Sequence, residues 1–450
     1  MVRAHFLWGL AILLTAGIAA GAERPNVLFL LADDQRADTI HALGNDAIET
    51  PNLDALVRSG FVFRHAYCMG SITTPAVCLP SRTMLLSGKS LFHIQPGAKA
   101  TYEVNLPKSF HQAGYVTYHH GKRGNTPLGI QGQFQINQYL ADDQAERRSG
   151  HPGKEIADAA IEFLKTRSGN EPFLMYLAFA NPHDPRVVND EYRRRYRDAV
   201  MPLPENFLPL HPFDNGELSV RDERLAPWPR SPEEIRQQLA DYYGVITHLD
   251  HQIGRVLATL RQTGQYDNTI VVFSSDHGLA LGSHGLMGKQ SLYEHSMQAP
   301  LMVSGPGIAR GTCDAFVYLH DIFPSLCELA GIDVPQGIDG QSFAPVLRGQ
   351  SQQARDTVFL AYREVQRAVR RGDWKLIRYP KINETQLFNL RDDPHERRNL
   401  AVAEPARAKA LMELLAEQQR LHGDTLPLSS EHPAPGAITA EQLRSGKITP

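Results

Sequence analysis

Two distant stretches each run unbroken apolar residues into an acidic end. The first is Val27-Leu28-Phe29-Leu30-Leu31-Ala32, followed by Asp33-Asp34; the second is Ile270-Val271-Val272-Phe273, followed after Ser274-Ser275 by Asp276-His277. A strand that is apolar at every position has no polar face to offer water. It must be covered on both sides, which is the condition of a parallel sheet under helices. Open α/β sheets hold their ligands at the carboxyl ends of the strands, where both stretches place acids. Neighbouring carboxylates repel one another unless a cation lies between them. Taken alone, Asp33-Asp34 also reads as the N-cap of a following helix, and His277 as a satisfied structural histidine. If the two ends converge, their oxygen-rich donor set suits a hard divalent ion such as Ca²⁺ or Mg²⁺ better than zinc.

The intervening chain keeps this rhythm. A helix closes at Gly114 before a strand over 115–118, residues 155–167 read as an amphipathic helix, and 172–180 as a further buried strand ending in Asn181-Pro182-His183-Asp184-Pro185. Residues 234–262 contain a long helix with Tyr242, Ile246, Leu249, Ile253 and Leu257 on an inward stripe. Strand and helix alternating in this way predict an α/β protein with a mainly parallel central sheet. Residues 186–228, rich in Pro, Arg and aromatics, break the rhythm and read either as an insertion over the pocket or as a packed surface loop. Short alternating runs over 358–379, with the turn Arg371-Gly372-Asp373, predict a small antiparallel sheet. The expected divisions are a signal segment at 1–22, a large unit at 23–345 and a smaller one at 346–450 with a helix and a Pro-rich tail.

Arg3, the apolar run from Phe6 to Ala20 and the small residues Ala20-Gly21-Ala22 have the layout of a secretory signal, too short to favour a permanent span. The expected location is therefore secreted or periplasmic, with no membrane span after cleavage. A formal charge of −3 argues against a dedicated nucleic-acid binder, so any anion must be held by a local cluster. Cys68, Cys78, Cys313 and Cys327 make no disulfide scaffold in so long a chain; Cys313 and Cys327 are either a bridge or two separate thiols.

The remaining motif is Val77-Cys78-Leu79-Pro80-Ser81-Arg82-Thr83-Met84-Leu85-Leu86-Ser87-Gly88. It sets a Cys at a helix start, where free N–H groups favour negative charge, and an Arg one turn on that can share an anion with it. A lone Cys there is also an ordinary buried thiol. Cys-x-Pro-Ser-Arg with its Leu-Leu-x-Gly-like tail resembles the signature of the type I sulfatases. The similarity extends to Asp33-Asp34, the segment Thr50-Pro51-Asn52-Leu53-Asp54, Ser275-Asp276-His277-Gly278 and Trp374-Lys375-Leu376. The resemblance implies an alkaline-phosphatase-like sandwich in which Cys78 is converted to formylglycine (3-oxoalanine) by a formylglycine-generating enzyme. It further implies a calcium ion held by Asp33, Asp34, Asp276, His277 and the modified Cys78. Arg82 would hold the hydrated aldehyde, Lys122 and Lys289 the sulfate, and His183 the leaving group. The expected partner is a sulfated small molecule or glycan.

One departure stands out. The family usually places a His two or three residues after the lysine matching Lys122, where this chain has Gly124 and Asn125. His119 or His120 reaching in, or Asn125 orienting the hydrate, are the alternatives. Competing readings are a formylglycine-dependent phosphonate or phosphodiester hydrolase of the same superfamily, and an inactive glycan-binding homologue.

Overall fold

A computed structural model describes residues 24–197 and 201–445 of the chain; the expected signal at 1–22 lies outside them. The first apolar stretch forms β1 (Asn26–Ala32), buried at every position. In chain order there follow β2 (Phe61–Tyr67), β3 (Gly70–Ser71), β4 (Val116–Gly121), β5 (Ile136–Tyr139), β6 (Phe173–Ala178), β7 (Thr269–Ser275), β8 (Gln298–Ser304) and β9 (Gly311–Tyr318). The last four are β10 (Thr357–Tyr362), β11 (Gln366–Arg371), β12 (Trp374–Tyr379) and β13 (Glu384–Asn389).

The main sheet has 8 strands in the order β5-β4-β6-β1-β7-β8-β2-β9. Only β8 runs against the others, being antiparallel to both β7 and β2. The protein is therefore α/β with a mostly parallel sheet, as its apolar strands require. β1 lies between β6 and β7, with Leu31 level with Ala178 on one side and Ala32 with Ser275 on the other. That register brings the acidic ends of the two stretches side by side.

Alternate residues of β1 enter different cores, as the two-residue period of a strand demands. Leu28, Leu30 and Ala32 pack with the helices Lys154–Thr166 and Pro232–Gln262. Every member of the predicted stripe on the longer helix is buried. Val27, Phe29 and Leu31 belong to a second cluster that runs through the helix Cys78–Ser87 to Val369, Leu376 and Leu387 of the smaller sheet.

That smaller sheet, ordered β13-β12-β11-β10-β3, is antiparallel except where β3 joins parallel to β10. The C-terminal residues alone do not build it: Gly70 and Ser71, just upstream of the Cys78 motif, add its edge and cross the division expected at 345/346. Gly70 sits at φ 106°, and a Cβ there would fall 2.1 Å from the Ala361 carbonyl oxygen, so only glycine permits the pairing.

Three aromatic residues of 186–228 pack into the body of the protein. Tyr192 meets His248 edge-on, Tyr196 meets Tyr243, and Phe213 meets Tyr379. All four cysteines are free and buried, so Cys313 and Cys327 are separate thiols. Among the described residues, no helix is long and apolar enough to cross a membrane.

Candidate active site

Four neighbouring parallel strands, β4, β6, β1 and β7, end on the same edge of the sheet, and each delivers a polar residue there. Lys122 follows β4, His183 follows β6, Asp33 and Asp34 follow β1, and Asp276 and His277 follow β7. Backbone bonds carry the ladder one step past the strands: the Asp33 amide donates to the Asn181 carbonyl (2.9 Å) and the Lys122 amide to the Ala178 carbonyl (3.0 Å). Asp34 then turns into the left-handed region at φ 69°. Such backbone persists in a non-glycine residue only where its surroundings fix it. Here the Asp34 amide donates to Asp276 Oδ1 (3.1 Å) and its carbonyl accepts from the Tyr242 hydroxyl (2.6 Å).

Cys78 is the first residue of a helix aimed at this edge, and it is buried. Its Sγ lies 3.2 Å from His277 Nε2, 3.5 Å from Lys289 Nζ and 3.7 Å from Asp34 Oδ1. One turn on, Arg82 donates through Nε to Asp276 Oδ2 (2.9 Å) and approaches Asp33 Oδ1 (3.3 Å). Lys122 Nζ rests on both oxygens of Asp33 (2.8 and 2.6 Å), and Lys289 Nζ on both oxygens of Asp34 (2.8 Å each).

Burial opposes ionisation of Asp33, yet the charges of Lys122, Arg82, His183 and Arg147 outweigh it and hold the carboxyl well below its usual range. On Cys78 burial prevails instead. It pushes the thiol well above its ordinary value despite Lys122 and Lys289, so the unmodified side chain is a protonated thiol and a poor nucleophile. His183 is lowered to about 3 by burial and then by Lys289. Its Nδ1 faces the Asp184 carbonyl (2.8 Å), which assigns the proton of the neutral ring to that nitrogen and leaves Nε2 toward Asp34 (3.9 Å).

The donor set fits a hard divalent cation. Carboxylate oxygens of Asp33, Asp34 and Asp276 lie within 4.8 Å of one another, as do ligand atoms of Cys78, Asp276 and His277. The side-chain amides of Gln35, next to Asp34, and of Asn181, beside Asp33, are buried without hydrogen-bond partners, as are both terminal nitrogens of Arg82. Buried polar groups left unpaired at an acidic cluster are the mark of a polar occupant.

A cavity of about 430 Å³ adjoins the cluster through His183 and Lys289, with Asn125, Arg147, Arg221 and Asp222 also in its wall and no Phe, Tyr or Trp among its lining residues. Among the described residues of the 186–228 segment, Val220, Arg221 and Asp222 reach it. Neither histidine preceding Lys122 takes part. His119 bonds Asn137 (2.7 Å) and packs on Tyr176, while the nearest acid to His120 is Glu155 at 3.9 Å. Asn125 lines the cavity from a left-handed turn at φ 52°. Sequence reasoning missed Tyr242, Asp222 and Arg147. Asp222 accepts from Gln290 Nε2 (2.8 Å) and lies 3.9 Å from Lys289 Nζ; nothing in the local sequence marks it.

Residues 25–332 match the sulfatase family model, and residues 282–423 match the model of the N-sulphoglucosamine sulphohydrolase C-terminal region. The N-acetylglucosamine-6-O-sulfatase of Bacteroides thetaiotaomicron is 28% identical, over 91% of this chain and 88% of its own. Among solved structures, a protein bound to its substrate D-glucosamine-2-N,6-O-disulfate superposes with a TM-score of 0.75 at 24% identity, over 91% of this chain and 100% of its own. The phosphonate monoester hydrolase of Agrobacterium radiobacter gives 0.74 at 22% identity, over 89% and 96%. At those identities the two structures speak for the fold.

Proposed function

This chain belongs to the sulfatase family and is a sulfuric ester hydrolase, and from that premise we propose that it removes sulfate from carbohydrate using a formylglycine at position 78 and a bound calcium ion. The observation that carries the proposal is the placement of Cys78. Its Sγ stands at a helix N-terminus, 3.2 Å from His277 and 3.5 Å from Lys289, over three carboxylates on neighbouring strand ends.

Asp33, Asp34, Asp276 and His277 would hold the cation together with residue 78. When present, calcium and the hydrated aldehyde supply Lewis-acid charge and a nucleophilic oxygen with a second hydroxyl able to expel sulfate. The chain's own groups account for the rest. Lys122 and Lys289, on opposite sides of the cluster, take the nonbridging oxygens and absorb charge developing in the transition state. Arg82, fixed to Asp276 and Asp33, holds those carboxylates in place. His183, its Nδ1 held by the Asp184 carbonyl, turns Nε2 to the leaving oxygen; taking up a solvent proton on Nε2 as the anionic ester binds, it passes that proton to the oxygen as the S–O bond breaks.

Support for a sugar comes from the cavity's polar wall and from the relative named N-acetylglucosamine-6-O-sulfatase. Hydroxyl groups are matched by Asn125, Arg221 and Asp222, whereas a quaternary ammonium ligand would want an aromatic cage. The conversion of Cys78 calls for a formylglycine-generating enzyme during maturation, and export through the signal at 1–22 would bring the protein to extracellular or periplasmic glycans. The test is free sulfate released from a panel of sulfated mono- and disaccharides by protein co-produced with the converting enzyme. Release from sugars is expected. A second reading, a phosphonate or phosphodiester hydrolase, is favoured by the likeness to the Agrobacterium radiobacter enzyme; faster turnover of phenyl phosphonates than of every sulfate ester would establish it instead.

A further inference from the structure

Arg147 has no part in the scheme above, yet it is built into the same pocket. It lies on the short helix Asp143–Arg148, where an Arg ordinarily keeps its head in water, but here it is buried. Nε donates to the Ala180 carbonyl (3.0 Å) and Nη1 to the Asp184 carbonyl (3.4 Å), so the guanidinium is clamped by backbone on both sides of His183. Nη2 is directed toward Asp33 Oδ2 at 3.6 Å, beyond hydrogen-bond length, and that oxygen already receives Lys122 at 2.6 Å. A clamped cation in the cavity wall thus keeps one nitrogen that no protein acceptor engages. Burying a charge is costly unless a counter-charge and hydrogen bonds are supplied, and Asp33 has both from Lys122 and Arg82. The neighbouring acids Asp184 and Asp222 are taken by Arg221.

We propose that Arg147 is a sulfate-binding residue: Nη2 donates to a nonbridging oxygen of the ester held between Lys122 and Lys289. It adds fixed positive charge to a pocket that lacks the imidazole which the family pattern sets after Lys122. Its planar fork, pre-set by two backbone carbonyls, suits an oxyanion better than a free lysine would. The assignment deepens the sulfatase reading and rests on it for the identity of the anion.

The experiment is calorimetric titration of the calcium-loaded full chain with inorganic sulfate and, separately, inorganic phosphate. Arg147→Gln should weaken sulfate binding by about tenfold or more, the range for a charge-assisted hydrogen bond, and should raise KM for the sulfate ester. Arg147→Lys should recover part of that loss, and calcium affinity should not fall in either variant, whereas a general collapse of the site would lower it. Sulfate affinity equal to wild type in Arg147→Gln, or in Arg147→Lys if the first variant does not fold, overturns the assignment, as does a wild-type chain that binds neither anion. Absence of sulfate-ester turnover together with phosphate binding that Arg147→Gln abolishes would refute the sulfatase reading and leave the assignment standing.

Discussion

The hydroxyl of Tyr242 serves two backbone groups at once. It donates to the Asp34 carbonyl (2.6 Å) and accepts from the Arg36 amide (2.9 Å), bracketing the turn in which Asp34 sits at φ 69°. Tyr242→Phe removes that hydroxyl and little else. The ring stays buried and the Arg186 guanidinium still lies 5.4 Å over its centre. What remains is a buried C=O and a buried N–H without partners, each worth about 1–3 kcal/mol. Because one oxygen serves both and the loop relaxes in part, a total loss of about 2–4 kcal/mol is expected. The assay is urea unfolding of wild type and variant, each with and without calcium. The variant should unfold at lower urea, and calcium should raise its midpoint less, because Asp34 is no longer pre-set toward the other carboxylates. A loss under about 0.5 kcal/mol, within the range of neutral surface changes, together with an undiminished calcium shift would refute the claim that Tyr242 holds the ligand turn.

Two further outcomes can be checked independently. Cys78→Ala should abolish sulfate release while leaving the circular dichroism spectrum and unfolding midpoint close to wild type; surviving turnover would remove residue 78 from the chemistry. Between the two sheets, Lys375 is shared by Glu294 and Glu396 (2.8 Å each). Burial pushes Glu396 up to about 7, above its usual 4.5, whereas Lys375 and Arg370 overcome burial to hold Glu294 at about 2. In the window between 4.5 and about 7 the folded chain therefore binds a proton at Glu396 that the unfolded chain has released, so this group's stabilisation is full at the acid end and lost as pH rises. Urea midpoints should fall across that window in wild type and fall less in Glu396→Gln; parallel profiles would contradict the assignment.

The centre of this molecule was legible because its signals are local. Apolar stretches that end in acids give both the strand type and the ligand edge, and β1 and β7 are neighbours in register as that pattern requires. The Cys78 and Arg82 spacing likewise survives as one helical turn. What stayed hidden depends on tertiary contacts. Arg147 stands in Asp-Gln-Ala-Glu-Arg-Arg, which reads as a solvated helix face until Ala180 and Asp184 are seen to close over it. Gly70-Ser71 is too short to show any period, so the strand it lends to the smaller sheet had no signature. Residues 186–228 read either as an insertion over the pocket or as a packed loop, because composition does not give direction, and Tyr192, Tyr196 and Phe213 turn into the body of the protein. His119 and His120 lie on the strand that leads into Lys122, yet it directs the first onto Tyr176 and the second toward Glu155.

The most direct check is a calcium titration of wild type beside Asp33→Asn and Asp276→Asn, residues on neighbouring strand ends but far apart in the chain. Each substitution alone should weaken calcium binding by at least about tenfold, since each removes a charged oxygen donor from one shared ion. Calcium binding that persists unchanged in either variant, or a site that takes zinc and refuses calcium, would contradict the account.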